Sequence, residues 1–433
     1  MAEWKEVKLE DVCVPKVGVQ TGPFGSQLHQ KDYVPLGTPI ITVEHLGDNR
    51  ITRNNLPCVS DYDKERLKKY TLEEGDIVFS RVGSVDRRAL VRSDEDGWLF
   101  SGRCLRVRLD RKKANPAFVS FQFGTEAFKQ HIRSIAVGAT MPSINTKILS
   151  EVKIVLPPLP EQQAISNVLS ALDDKIELNR QMNETLEAAA RALFKSWFVD
   201  FDPVRAKIEG RAPDGLSADI AALFPDMLVD SPLGEIPKSW EICTIKQSYN
   251  LLMGQSPPGS TYNEDSNGLP FFQGRTDFGF RYPNKRIYCS AATRIAHKGD
   301  TLVSVRAPVG DINLASEQCC IGRGVSAIRH KSGAKYYTYY AMQNLSEHFK
   351  KFEAGGTVFG SINKKDFEDI KIINPGIGLV SEFDGIVQSL DQKIENNSQE
   401  ILSLSQLRDS LLPKLISGEL RVGDADHSLR EAV

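Results

Sequence analysis

Along two stretches of the chain, apolar residues return at alternating intervals of three and four. In the first, the seam runs through Leu169, Leu172, Ile176, Leu186, Ala190, Leu193 and Trp197, with Asn179 and Asn183 in phase. In the second it runs through Val387, Leu390, Ile394, Ile401, Leu404, Leu411 and Leu415, with Asn397 and Arg408 in phase. Such a seam, sustained over about four heptads, predicts a coiled-coil pair of helices. Asn179 and Asn397 hold equivalent seam positions, where a polar side chain costs stability but fixes register. Pro160 with Glu161 marks one helix start, Ser381 with Asp384 resembles a capping box at the other, and Gly418 is a stop. Each helix could instead pack on its own neighbourhood. Two matched helices on repeated halves are better explained as antiparallel partners about a pseudo-twofold axis. At about 1.5 Å per residue, a helix of roughly 38 residues is near 57 Å long, so it reads as a spacer.

Elsewhere the period changes. Short β-branched runs such as PIITVEHL and GDIVFS, bounded by Gly, Pro and Asp, predict strands. PAFVSFQFGTEAFKQHIRSI and KYYTYYAMQNLSEHFKKF predict amphipathic helices. The two halves repeat this order. The phrases ALDDKIELNR and SLDQKIENNS stand 218 residues apart. VGATMPSINTKILSEVKIVLPP parallels AGGTVFGSINKKDFEDIKIINPG, EEGDIVFS parallels HKGDTLVS, GTPIIT parallels GLPFFQ, and Trp4 parallels Trp240. A period this long means tandem domains rather than a solenoid. The expected fold class is α+β, with two tandem α/β modules joined by two long helices in an antiparallel coiled coil. Its parts are a first module (1–158), a helix and linker (159–230), a second module (231–378) and a C-terminal helix and tail (379–433). The Pro-, Gly- and Asp-rich stretch 201–240 reads as a structured return linker.

The formal net charge of −2 hides a pattern. Residues 1–155 carry +4, 156–230 carry −6, 231–375 carry +5 and 376–433 carry −5. Two basic modules alternate with two acidic helices, and local charge governs contact with DNA. Seven cysteines without a C-x-x-C pair argue against a zinc site and for a reduced compartment. The opening MAEWKEVKLE lacks an apolar h-region and no run approaches 18 apolar residues, so the expected location is cytoplasmic, with no membrane partner.

Catalytic signatures are absent from the sequence. There is no G-x-x-x-x-G-K-[ST], no G-x-S-x-G, no H-E-x-x-H and no Asn/Asp-Pro-Pro-aromatic loop. Glu151 with Lys153, and Asp369 with Lys371, resemble half of a metal-dependent nuclease site. No upstream acidic ligand accompanies them, and solvent-facing strand charge explains them better. No catalytic residue, metal or cofactor is therefore expected on this chain.

What each basic module does have is cations beside polar and aromatic groups. In the first these are Arg81, Arg87, Arg88 and Arg92 in SRVGSVDRRALVR. In the second, Arg275, Arg281, Lys285 and Arg286 interleave with Phe278, Phe280 and Tyr282. Lys and Arg neutralise phosphates, and Arg or Gln can pair with base edges. Glycine loops TGPFGS (21–26) and GQSPPGSTY (254–262) fall at equivalent places and would let backbone approach a duplex. The candidate DNA-binding residues are Thr21, Ser26, Thr42, His45, Arg81, Arg87 and Arg88, then Gln255, Ser256, Gln273, Arg275, Thr276, Arg281 and Arg306. The seam residues Leu172, Ile176, Asn179, Leu186, Leu193, Leu390, Ile394, Asn397, Leu404 and Leu411 are candidates for helix pairing and subunit docking.

LPPLPEQQAISNVLSALDDKIELNRQMNETLEAAARALFKSWFVDFDPVRAK closely resembles the central conserved region of specificity subunits of type I restriction–modification systems. GEIPKSW resembles the start of their second recognition domain, and LRDSLLPKLISGEL their C-terminal conserved region. The resemblance covers essentially the whole chain. It implies a noncatalytic subunit whose two target-recognition domains each read half of an asymmetric, bipartite site on double-stranded DNA. It implies two methyltransferase subunits docked on the helices, methylating adenine N6 with S-adenosylmethionine. It also implies restriction subunits that bring ATP- and Mg2+-dependent translocation and cleavage. Two other readings stand beside it: a metal-dependent nuclease with unrecognised motifs, and a coiled-coil scaffold that binds no DNA.

Overall fold

Alternation explains the strands. In Ile77–Ser80, the side chains of Ile77 and Phe79 enter one apolar cluster and Val78 enters another, so this strand is buried on both faces. Thr301–Ser304 repeats the device, with Val303 in one cluster and Leu302 in the next. In the computed structural model, which describes residues 4–23, 27–352 and 360–422, the chain divides into two units. One contains residues up to 179 together with those from 399 onward; the other is the continuous stretch 180–398.

In the first unit a five-stranded sheet has the order Val19–Thr21, Cys104–Val107, Ile77–Ser80, Arg88–Leu90, Asp48–Asn49. A four-stranded sheet carries Thr38–Ile41 beside Leu99–Phe100 in parallel register. Lys5–Lys8 pairs antiparallel with Lys153–Leu156. The main core joins Phe79, Leu105, Phe118 and Ile154 to Leu169 and Leu172 of the first long helix and Leu411 and Leu415 of the second.

The second unit repeats this plan. Tyr249–Met253, Val325–His330, Thr301–Ser304 and Ile312–Leu314 form one sheet, and Leu269–Phe272 runs parallel to Cys319–Ile321 in another. The repeat can be read at single-residue precision. Cys104 faces Ser80 in the first unit, and Val325 faces Ser304 in the second. Arg108 therefore corresponds to Arg329, and both make the same ion pair, to Asp76 at 2.7 Å and to Asp300 at 2.6 Å. The linker folds back onto this unit, where Phe201, Val204 and Phe224 share a cluster with Trp197 and Trp240.

The long helices are Leu159–Phe198 and Ile377–Ser417, 40 and 41 residues. Within each unit, early residues of one meet late residues of the other, the antiparallel arrangement. In the first unit Asp173 pairs with Arg408 at 2.8 Å, and Asn179 donates to Glu400 at 2.9 Å. In the second, Asn397 donates to Asn183 at 2.9 Å and Asn183 donates to Ser398 at 3.3 Å. Leu172, Ile176, Asn179, Ile394, Asn397 and Leu411 are buried, while Leu186, Leu193, Leu390 and Leu404 are half-buried. The seam is not a free-standing coiled coil, because its apolar ends belong to the same clusters as the module cores. Partner and module both cover it.

Gly418 ends the second long helix with φ +77°, as a glycine stop should. The expected start at Ser381 is four residues late, since the helix begins at Ile377. Asp384 caps a different helix. Lys335–Asn344 has Ala334 at its N-cap, with no side-chain acceptor, and Asp384 accepts from the Tyr336 and Tyr337 amides at 2.8 and 2.9 Å. Asp384→Ala should cost the second unit about 1–2 kcal/mol in a urea titration, the scale of a lost cap. An unchanged midpoint would contradict this role.

Candidate nucleic-acid interface

In each unit the strand of the parallel pair ends in a tight 3-10 turn. In the first, Thr38–Ile41 leads into Val43–His45, and His45 Nδ1 accepts from the Thr42 amide at 3.2 Å. In the second, Leu269–Phe272 leads into Arg275–Asp277, and Asp277 Oδ2 accepts from the Gln273 amide at 2.7 Å. Beside each turn lies the loop that follows the doubly buried strand. Arg87 of that loop donates to the carbonyl of Val43 at 3.3 Å in the first unit. In the second, Arg275 of the turn pairs with Asp311 of the loop at 3.3 Å. Turn and loop thus make one composite surface per unit. The residues it offers differ, with Thr42, Arg81 and Arg87 in one and Gln273, Arg275, Thr276 and Arg306 in the other.

Arg87, Gln255, Gln273, Arg275, Thr276 and Arg306 are exposed, and Thr21, Thr42, Arg81 and Ser256 are half-buried. Ser26 lies outside the described residues. Three other candidates are placed elsewhere. His45 is buried and holds the turn together from inside, its Nδ1 2.9 Å from the Thr42 hydroxyl. Arg88 is buried against the Ser120 carbonyl, to which Nε donates at 2.7 Å. A Cβ on Gly124 would overlap the Arg88 guanidinium, so this glycine makes room for the arginine. Burial pushes the Arg88 pKa down, and Asp48 at 3.5 Å opposes that shift.

Arg281 is the third. Its side chain is fully buried and ion-paired to Glu187 at 2.5 Å and to Asp391, one carboxylate from each long helix. It lies over the Tyr339 ring, 3.7 Å from the centroid. Burial works to lower its pKa, but Tyr339, Tyr340 and Glu187 outweigh burial and raise it. Glu187 also accepts from the Tyr340 hydroxyl at 3.3 Å and from Gln343 at 2.9 Å. This arginine anchors the module to its helices and has no surface left for a duplex. Other cations of the same stretch are already engaged, Arg286 by Asp277 and Lys285 by Glu317.

The glycine loops also have a structural cause. A Cβ on Gly22 would stand 2.2 Å from the Ser101 carbonyl oxygen, and one on Gly254 2.2 Å from that of Gly322. Backbone meets backbone there, within the protein. The nuclease-like pairs face solvent: Lys153 is bound to Glu6 at 2.7 Å, while Glu151 and Asp369 are exposed at helix ends rather than in strands. Among the described residues, no group of three or more His, Cys, Asp or Glu side chains is arranged to hold a metal ion. No described helix is long and apolar enough to cross a membrane.

Comparison with known proteins agrees with this doubled plan. The type I restriction modification DNA specificity domain matches residues 1–188 and 237–405. The chain is 30% identical to a protein assigned as the type I restriction enzyme MjaX specificity subunit of Methanocaldococcus jannaschii, over 97% of this chain and 94% of that one. It is 26% identical to the type I restriction enzyme HindI specificity subunit of Haemophilus influenzae, over 97% of this chain and all of that one. In fold it is similar to the type I restriction–modification S subunit from M. genitalium. That likeness has a TM-score of 0.59 at 18% identity and covers 95% of this chain and 96% of the other.

Proposed function

The chain belongs to the DNA specificity subunits of type I restriction–modification systems, and from that premise we propose that each unit reads one half of a bipartite, asymmetric site on double-stranded DNA. The observation that carries this reading is the repeated turn-and-loop surface, built on equivalent elements but furnished with different side chains. The same frame with different side chains suits two different half-sites. Thr42 and Arg87 in the first unit, and Gln273, Arg275 and Thr276 in the second, supply the donors and acceptors that base edges and phosphates demand. The chain itself carries out no chemistry. The long helices set the distance between half-sites and dock two methyltransferase subunits, which bring S-adenosylmethionine. Restriction subunits bring ATP and Mg2+. The assembly works in the cytoplasm.

The test is methylome sequencing of cells expressing this chain with its methyltransferase, before and after residues 1–150 are exchanged for those of another specificity subunit. A bipartite methyladenine motif that changes in one half only is expected. An assembled complex that leaves no motif would favour the scaffold reading, and cleavage by the purified chain with Mg2+ alone would favour the nuclease.

A narrower prediction concerns Arg275, whose side chain is 61% exposed. Arg275→Ala should cost about 1–3 kcal/mol of discrimination at one base pair of the second half-site. The first half-site should be read as before. Weakening that is uniform over all sequences would identify a phosphate contact instead.

A further inference from the structure

The repeat exposes a buried charge that the fold does not require. Register places Arg106 opposite Gln20 and Val78 in the first unit. In the second, the same place is held by Ala327, opposite Leu252 and Leu302, and all three belong to an apolar cluster. Where the second unit has a plain hydrophobic contact, the first has an arginine that is 2% exposed. Its Nη atoms donate to the carbonyls of Thr71 at 3.4 Å and Val17 at 2.7 Å, and its Nε has no partner. No carboxylate lies within ion-pairing distance of it among the described residues. The carboxylates that act on it from further off, Asp76 and Glu73, are already bound to Arg108, and a buried cation without a counter-charge of its own is costly.

Arg106 lines a cavity of about 530 Å3 whose other charged walls are mostly cationic. Lys68 is held by Glu65 at 3.0 Å, and Arg108 by Glu73 and by Asp76. That leaves Lys64, Lys69 and Arg106 facing the same space with no ion-pair partner among the described residues. Lys64 comes from the short helix Asp61–Arg66 and Lys69 from the 3-10 turn after it. The corresponding stretch of the second unit, between Tyr288–Cys289 and Ile295–Ala296, forms no helix. The guanidinium, the two lysines and the short helix that carries Lys64 have no counterparts at the equivalent places of the second unit.

We propose that this cavity is an anion site that takes a phosphate group, with Arg106 at its base and Lys64 and Lys69 at its rim. A phosphate would supply the missing counter-charge and accept from donors on three elements at once. The group could arrive on the DNA backbone or on a free nucleotide or polyphosphate; the chemistry of capture is the same.

The test uses the full chain assembled with its methyltransferase subunits, and inorganic tripolyphosphate as probe in low-salt calorimetry. Arg106→Ala installs the second unit's own residue. Lys64→Gln with Lys69→Gln removes the rim charges without touching the core. Saturable binding that falls at least about tenfold in both variants, but not in Lys112→Gln with Lys147→Gln outside the cavity, establishes the site and a free-phosphate source. If tripolyphosphate does not bind, both variants should instead flatten the salt dependence of DNA affinity, equally for all sequences, by about one unit for each phosphate no longer neutralised. That result assigns the site to the DNA backbone. Neither effect in either variant overturns the proposal, and so does equal loss in the control. A wild-type complex that binds no DNA counts against the proposed function alone, since the tripolyphosphate measurement stands apart from it.

Discussion

Arg281→Ala is expected to lower the thermal midpoint of the second unit by on the order of 10 °C. The substitution strands Glu187 and Asp391, which are 5% and 1% exposed, without their shared cation. Removing one partner from a buried charge cluster costs about 3–5 kcal/mol, because the remaining charges cannot regain water. The Tyr339 ring also loses the guanidinium stacked on it. Changing all three charges together, with Arg281→Met, Glu187→Gln and Asp391→Asn, should recover much of the loss, since no bare charge is left behind. Scanning calorimetry of both variants decides the matter. A midpoint shift below about 2 °C with selective loss of one half-site would return Arg281 to the DNA surface.

Arg408→Ala should destabilise the first unit by about 2–3 kcal/mol, the cost of leaving a charged group buried without its hydrogen bond. Asp173 corresponds in the repeat to Asp391 and is likewise buried, at 4% exposure. Its cation comes from the other long helix rather than from the module, and Arg408 also reaches Asp48 at 3.4 Å. Burial works to lower the Arg408 pKa, but the hydrogen bond and charge of Asp173 outweigh burial and raise it. A double-mutant cycle with Asp173→Asn should give a coupling above about 0.5 kcal/mol; a smaller value would mean that the two residues act independently.

These two arginines show how far sequence patterns reach and where they stop. The heptad phase places Arg408 in the seam, and the seam is where it lies. Arg281 stands in a stretch of aromatic and basic residues that reads as a DNA contact. Nothing local reveals that its partners are Glu187 and Asp391, roughly a hundred residues away on either side. Arg88 and His45 mislead for the same reason, because a polar residue next to a loop looks identical whether it faces water or carries the core. Asp384 has the look of a capping residue, which it is, but for a helix some fifty residues upstream. The strands and their doubled plan are legible because alternation and repetition are local and periodic. Burial of single charges is neither. The candidate surface therefore keeps the outer residues expected from sequence, such as Arg275 and Gln273, and loses the inner ones.

The division of the chain has a consequence for its manufacture. Residues 180–398 are continuous, so every contact within that unit becomes available once its last residue leaves the ribosome. The other unit is split around it. Its core needs Leu411, Leu415 and Ile416, and Trp4 rests against Gly418 and the Arg421 guanidinium. The part made first is therefore the part finished last. Until synthesis reaches those residues, Leu169, Leu172 and the apolar face beneath them stay open, and domains normally close as they emerge. A stop codon a few residues past 398 would spare the newly made unit and cripple the one encoded at the opposite end of the gene.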